Sequence, residues 1–425
     1  MKRIASIAFA FCTFSSLYSD IEIKQVHPIT CGIPVKFGGY IKHESFWDTR
    51  QVVGAREDQT LLFPEPKDPD IDCNDINAQG QFTSVALQTR MRFEIDGPEI
   101  GHATSKGVIE FDFFGREGIA NIFRMRHAHI ILDWEKAQIL AGQAYHPLYV
   151  IGVDPRTISF NTGIPLDTFS RNPQFRVTYL PNDHVHLLFC ASTQLDFPTD
   201  GPIGSSSTYL RDSVIPMLDF RIDTYIGDHR IGAGVDFMRI QPRLKTNMNL
   251  KTRERLNNAI AILYADFKWD AIDTRTKLIY AQNATDHNMN GGYAVSCVDT
   301  TTDRREYASL NQFAIWNDTQ ITKSKSVVPG WFIGVAKNLG ANKPIIQSIT
   351  DSEGAEETTI YGQGNDIDYV FRVSPRLEYK INNFTFAVEV EYTRAAYGTI
   401  SCDGDVIDTC PVGNTRILAS LFYYL

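Results

Sequence analysis

Arginines recur at even spacing along this chain: Arg90 and Arg92, Arg124 and Arg126, Arg372 and Arg376. On an extended backbone, side chains two or four residues apart leave from the same face. A guanidinium is planar, permanently charged and carries its donors in a fork that matches a carboxylate or phosphate, so such a row is suited to holding anions. Arg176, Arg221 and Arg416 lie in segments of the same kind. Acids occupy the same faces: Glu94, Glu110, Asp112, Asp219, Asp223, Asp236, Glu378, Glu389 and Glu391. The competing reading is therefore a wall of cross-strand charge pairs with no recognition role.

The elements that position these groups are amphipathic strands. Over residues 369–392, Tyr369, Phe371, Val373, Leu377 and Tyr379 alternate with Arg372, Ser374, Arg376, Glu378 and Lys380. After a turn at Asn382-Asn383, Phe384, Phe386, Val388, Val390 and Tyr392 alternate with Thr385, Ala387, Glu389, Glu391 and Thr393, which sets Arg372 and Arg376 beside Glu389 and Glu391. A soluble sandwich produces this pattern with its apolar face turned to a core. A transmembrane barrel produces it with the apolar face turned to lipid.

Recurrence favours the barrel. The alternation returns at 85–96, 109–113, 123–126, 174–179, 218–223 and 230–237, and less cleanly at 259–269, where Ile260, Ile262 and Tyr264 make both faces apolar. Tight turns near 97–102, 133–136, 181–184, 226–229 and 381–383 separate long polar loops at 51–81, 197–215, 241–256, 283–305 and 341–366. Short turns on one rim and long loops on the other are the plan of an outer-membrane barrel, here all-β and antiparallel with about 16 strands, short periplasmic turns and long extracellular loops. Residues 416–424 alternate to the end of the chain and are expected to pair with the first strand and close the cylinder. Tyr40, Trp47, Tyr145, Trp269, Trp331, Tyr379, Tyr392 and Tyr423 are expected in interfacial aromatic girdles.

Met1-Lys2-Arg3, an apolar run over residues 4–14 and the small residues before Asp20 read as a secretory signal at 1–19, followed by a short periplasmic lead-in at 20–35 and the barrel at 36–425. Losing Lys2 and Arg3 takes the net charge from −9 to −11, which argues against a nucleic-acid partner. Six cysteines remain after residue 19, and Cys402 and Cys410, flanking a short acidic loop, are the expected disulfide; Cys31, Cys73, Cys190 and Cys297 are left unassigned. The pairs His127/His129 and His184/His186 read as strand-end histidines, and Asp68, Asp70 and Asp72 as surface acidity lacking the glycine and terminal glutamate of a calcium loop. No metal, cofactor or catalytic residue is expected, since there is no nucleophile elbow and no phosphate-binding glycine loop.

Five blocks carry a family resemblance. Glu110-Phe111-Asp112-Phe113-Phe114-Gly115, Phe123-Arg124-Met125-Arg126-His127-Ala128 and Leu140-Ala141-Gly142-Gln143 follow the order of an early block in the DcaP-like outer-membrane porins. Arg372-Val373-Ser374-Pro375 and Glu391-Tyr392-Thr393-Arg394-Ala395-Ala396-Tyr397-Gly398 resemble that family's closing hairpin. The resemblance implies a homotrimeric, non-enzymatic porin of a Gram-negative-type outer membrane, in contact with lipid and lipopolysaccharide and passing small anionic solutes such as dicarboxylates. The alternative is a non-transporting outer-membrane or secreted β protein whose long loops bind a partner or surface.

Overall fold

The computed structural model describes residues 24–26, 34–115, 122–350 and 356–425. The signal read at 1–19 and Cys31 lie outside them. Sixteen antiparallel staves form one closed barrel. They are β1 (Val35–Asp48), β2 in two pieces (Gln81–Val85 and Arg90–Asp96), β3 (Thr104–Asp112), β4 (Arg124–Trp134), β5 (Ala137–Tyr145), β6 (Arg171–Asn182), β7 (Val185–Ser192) and β8 (Met217–Ile226). The second half is β9 (His229–Ile240), β10 (Leu256–Lys268), β11 (Ile272–Gln282), β12 (Arg304–Ile321), β13 (Val327–Ala341), β14 (Ile367–Ile381), β15 (Phe384–Ile400) and β16 (Val406–Tyr424). Each stave pairs with its sequence neighbour, and β16 returns to β1 in the register Tyr40↔Tyr424 to Asp48↔Arg416, so no edge is left open.

Side-chain period decides which face meets lipid. On β15, Phe384, Phe386, Val388, Val390 and Tyr392 are 36% to 52% exposed, while Thr385, Ala387, Glu389, Glu391 and Thr393 are at most 3% exposed. Ile109, Ile130, Phe175, Phe189, Phe220, Val235, Leu263, Ile315, Ile333 and Ile417 continue that apolar belt around the outside. Among the described residues no helix is long and apolar enough to cross a membrane; the strands do so. Trp47, Trp269, Trp331, Tyr379, Tyr392 and Tyr423 face outward, but Tyr40 and Tyr145 do not: both point into the lumen and stand beside Arg90 and Arg126.

Two irregularities re-aim side chains. β2 leaves the ladder at 86–89, which turns Leu87 inward against Phe114 and Phe160 and lets Gln88 accept from Lys42 Nζ at 2.5 Å. In β4 a bulge opposite Glu110 and Phe111 brings consecutive Arg126 and His127 to the interior. Lumen-side small residues also make room, as at Gly232, where a Cβ would meet the Tyr264 ring at 2.3 Å.

The expected Cys402–Cys410 disulfide is not formed: Cys73, Cys190, Cys297, Cys402 and Cys410 are all free thiols. The loop is shorter than the sequence suggests, because β16 starts at Val406 and Cys410 already pairs with Tyr397 inside the ladder. Four residues of strand set Cys410 roughly 13 Å below the loop, beyond the Cα separation of about 7 Å that a disulfide spans.

The outward face generates a stability prediction. Phe386→Arg, in the middle of the belt, should cost about 2–4 kcal/mol, measured by urea unfolding in lipid vesicles, whereas Phe386→Leu should be tolerated within about 1.5 kcal/mol.

Candidate functional site: the barrel lumen

Short turns join β2/β3, β4/β5, β6/β7, β8/β9, β10/β11, β12/β13 and β14/β15, so the long loops gather at the opposite rim. The loop between β5 and β6, residues 146–170, does not stay there. It enters the barrel and is buried at every position from Gly152 to Ser170.

Half of what holds it is apolar. Over β10 to β14 the inner wall presents Ile260, Ile262, Ile279, Trp316, Phe332 and Val370, and the loop packs Leu148, Val150, Val153 and Leu166 against them. This accounts for the two-sided apolar pattern of β10: Leu263 faces lipid while Ile260 and Ile262 face the loop.

The other half is cationic. Irregular backbone inside a membrane barrel needs partners for its carbonyls and amides, and the wall supplies them. Lys42 Nζ donates to Ile158 O at 2.9 Å, Arg221 to Pro147 O at 2.6 Å, Arg230 to Ile151 O at 2.8 Å, Arg275 to Asp154 O at 3.0 Å and Arg372 to Ile164 O at 2.6 Å. Lys277 Nζ donates to Leu148 O at 3.0 Å and pairs with Asp167 at 2.6 Å. Glu389 accepts from the amides of Ile158 at 2.7 Å and Ser159 at 3.2 Å. From the loop itself, Arg156 reaches out to Asp318 at 2.7 Å and Asp273 at 3.0 Å, and Arg376 grips the same Asp318 through two bonds of 2.9 and 3.0 Å.

All nine arginines singled out in the sequence lie on the lumen side. The quartet is one network: Arg92 pairs with Glu94 at 2.9 Å and Glu110 at 3.2 Å, Arg126 with Glu110 at 2.7 Å and Asp112 at 3.0 Å, and Arg124 with Asp112 at 2.9 Å. Arg90, 3.6 Å from Glu110, lies over the Tyr40 ring. Arg221 pairs with Asp223 at 3.1 Å, Arg416 with Asp48 at 2.8 Å and Arg372 with Glu391 at 3.3 Å. Arg376 does not pair with Glu389, its register partner, because Asp318 takes the guanidinium and the loop amides take the carboxylate. Arg176 bonds Gln174 and the Tyr145 carbonyl. Asp219 and Asp236 sit apart from this matching, opposite one another on β8 and β9.

A second loop also turns inward. Residues 49–80 carry a hairpin, Val52–Ala55 and Thr60–Pro64, that leans on β15 and β16. Arg372 also donates to Leu62 O at 2.8 Å, Tyr397 to Pro64 O at 2.7 Å and Arg416 to Asp58 O at 2.8 Å. The hairpin tip has φ of 59°, 55° and 57° at Arg56, Glu57 and Asp58. Three successive non-glycine residues in the left-handed region cost about 1–2 kcal/mol each, strain that the surrounding bonds hold in place.

That tip carries Arg56 to a cavity of about 50 Å³ between the two inward loops, lined by Arg56, Arg124, Leu62, Phe160, Thr162, Ile164, Phe169, Phe197 and Asn288, with no carboxylate in its lining. Arg56 Nε bonds the carbonyls of Phe114 and Gly115. Burial, with the Arg124 cation second, lowers the Arg56 guanidinium from its ordinary value to about 9. A bound anion would relieve both effects.

Sequence reasoning missed Arg56, Arg156, Lys42 and Lys277 here. Lys42 and Lys277 were accessible, since each alternates with outward residues on its strand. Arg56 and Arg156 stand in loops, where no period marks direction.

No protein-family model matches the chain, and no curated protein matches its sequence. Solved structures do match. An anion-selective porin from Comamonas acidovorans superposes with a TM-score of 0.56 at 7% identity, covering 92% of this chain and 99% of that one. The fold is that of the outer-membrane porins. OmpT of Vibrio cholerae gives 0.54 at 11% identity over 95% and 100% of the two chains, and OmpF of Salmonella typhi 0.53 at 11% over the same shares. With its outward apolar belt and closed ladder, this porin-type barrel is a protein of the Gram-negative outer membrane.

Asp318→Asn leaves Arg156 and Arg376 without their shared carboxylate. It should destabilise the fold by about 3–5 kcal/mol in a denaturant titration and open residues 146–170 to protease before the barrel unfolds.

Proposed function

We propose that the chain is a narrow diffusion channel for small hydrophilic anions, with Arg56 and Arg124 at its selective point. The carrying observation is the cavity between the two inward loops, which two guanidiniums line and no carboxylate does. In a low-dielectric barrel the unmatched Arg56 sets the sign of the local field, and Arg124, whose charge Asp112 largely cancels, adds guanidinium donors to the same cavity. Small carboxylates, dicarboxylates among them, fit this chemistry because a guanidinium grips them through two bonds. Weak binding suits passage, since a tight site would trap the solute. The reading includes kinship with the DcaP-like porins, homotrimeric assembly among outer-membrane lipid and lipopolysaccharide, and no enzymatic step; a trimeric form is recorded for OmpT of Vibrio cholerae.

A second reading is favoured by one observation, the complete burial of residues 152–170 in the lumen. It makes the barrel a closed scaffold whose extracellular loops bind a partner.

Planar-bilayer recording separates the two. The channel reading expects discrete conductance with anions preferred over cations, a preference weakened by Arg56→Gln or Arg124→Gln and abolished by the pair. Folded, heat-modifiable protein without conductance would leave the scaffold reading. Conductance whose preference survives the double substitution would remove Arg56 and Arg124 from the selective role.

A further inference from the structure

The charges of the lumen are matched almost everywhere. Asp48, Glu110, Asp112, Asp223, Asp318 and Glu391 each form an ion pair with an arginine. Asp219 and Asp236 do not. They face one another in the β8–β9 register, 1% and 3% exposed, and among the described residues no lysine or arginine forms an ion pair with either. Like charges directly opposite are unfavourable, and the cations nearest Asp219, Arg176 and Arg221, act on it from beyond ion-pair distance.

What stands against them is histidine. His146, the first residue of the inward loop and fully buried, places Nε2 3.1 Å from Asp219 Oδ1. The ligating atoms of His146, Asp219 and Asp236 all lie within 4.8 Å of one another. His146 Nε2, both oxygens of Asp219 and Oδ1 of Asp236 make no hydrogen bond. His287, also buried, sets its ring 4.4 Å from that of His146; neither of its nitrogens makes a hydrogen bond, and Nε2 lies 3.8 Å from Asp286 Oδ2.

We infer that His146, Asp219 and Asp236 form a site for a first-row divalent cation of the zinc class. One imidazole nitrogen with two carboxylate oxygens is a borderline-hard N/O set, which such ions prefer and for which calcium and magnesium, oxygen-seeking, are poorly suited. A tetrahedral ion with arms of about 2.0–2.2 Å separates its ligand atoms by roughly 3.4 Å, within reach of side-chain rotation here. A divalent charge would also offset the repulsion between the two facing aspartates. Ligation through Nε2 puts the ring proton on Nδ1, so the Leu148 amide, which approaches Nδ1 at 3.3 Å, gives way; it is the one hydrogen bond of that ring that ligation breaks. The ion would fasten the start of the inward loop to β8 and β9, adding to the bonds that Arg221 and Arg230 make to Pro147 O and Ile151 O.

The test uses the full folded chain in detergent, stripped with a chelator, dialysed against Zn²⁺ and assayed for zinc by mass spectrometry, with heat-modifiable migration reporting the fold. The native chain should retain about one zinc, and Asp236→Asn and His146→Gln should each lose it by tenfold or more while still migrating as folded barrels. Asp70→Asn/Asp72→Asn, which removes acids from the exposed 49–80 loop, should retain it. A native chain that holds no zinc overturns the site, and this measurement stands even where a variant fails to fold. Equal zinc in Asp236→Asn and His146→Gln, or its loss in the exposed-loop variant, overturns it as well.

Discussion

Everything inside this barrel follows from burying an irregular loop. Residues 146–170 have no ladder of their own to satisfy their carbonyls and amides, and in the lumen they meet little water. An unpaired polar group there costs several kcal/mol. The wall answers with long cationic side chains, since Lys42, Arg221, Arg230, Arg275, Lys277 and Arg372 each donate to a loop carbonyl. A charged donor is worth roughly 1.5–3 kcal/mol, and its own charge must then be balanced. The inward acids are thus as much a consequence of the loop as the arginines are: Asp223 balances Arg221 and Arg230, and Asp167 balances Lys277.

This explains which parts of the molecule were legible in the sequence. Strand period is a local property of the backbone, so the alternation on β14 and β15 revealed lipid and lumen faces without any knowledge of the third dimension. The rhythm of turns and loops revealed the closed barrel for the same reason. The destination of a long loop depends on contacts made across the barrel, and Arg156 reaching Asp318, 162 residues away, leaves no local trace. A trace did exist on the receiving side: Ile260, Ile262 and Tyr264 gave β10 a second apolar face that only an internal partner explains. The Cys402–Cys410 pairing failed for the opposite reason. Proximity in sequence suggested a loop, but the ladder continued to Val406 and carried Cys410 away along the strand.

The strained tip of the 49–80 loop fits the same logic. Three successive left-handed residues would relax if free, yet the donors of Arg372 and Arg416 hold this hairpin by its backbone carbonyls. Wall arginines therefore serve both inward loops. The gap left between those loops is the cavity that Arg56 enters.

Ion pairs that neutralise one another give the lumen rigidity but little net field. Where pairing is incomplete, the protein retains a local charge that another group must answer. Two such places border the inward loop, one cationic at Arg56 and one anionic at Asp219 and Asp236. The first opens on a cavity and is suited to a transient, exchangeable anion, because the Phe114 and Gly115 carbonyls already hold its guanidinium without a ligand. The second is enclosed, with ligand atoms lacking hydrogen-bond partners, and is suited to a resident cation acquired as the loop seats. On the two proposals, an exchangeable anion at one place and a resident cation at the other would let a single buried loop both narrow the lumen and stay anchored in it.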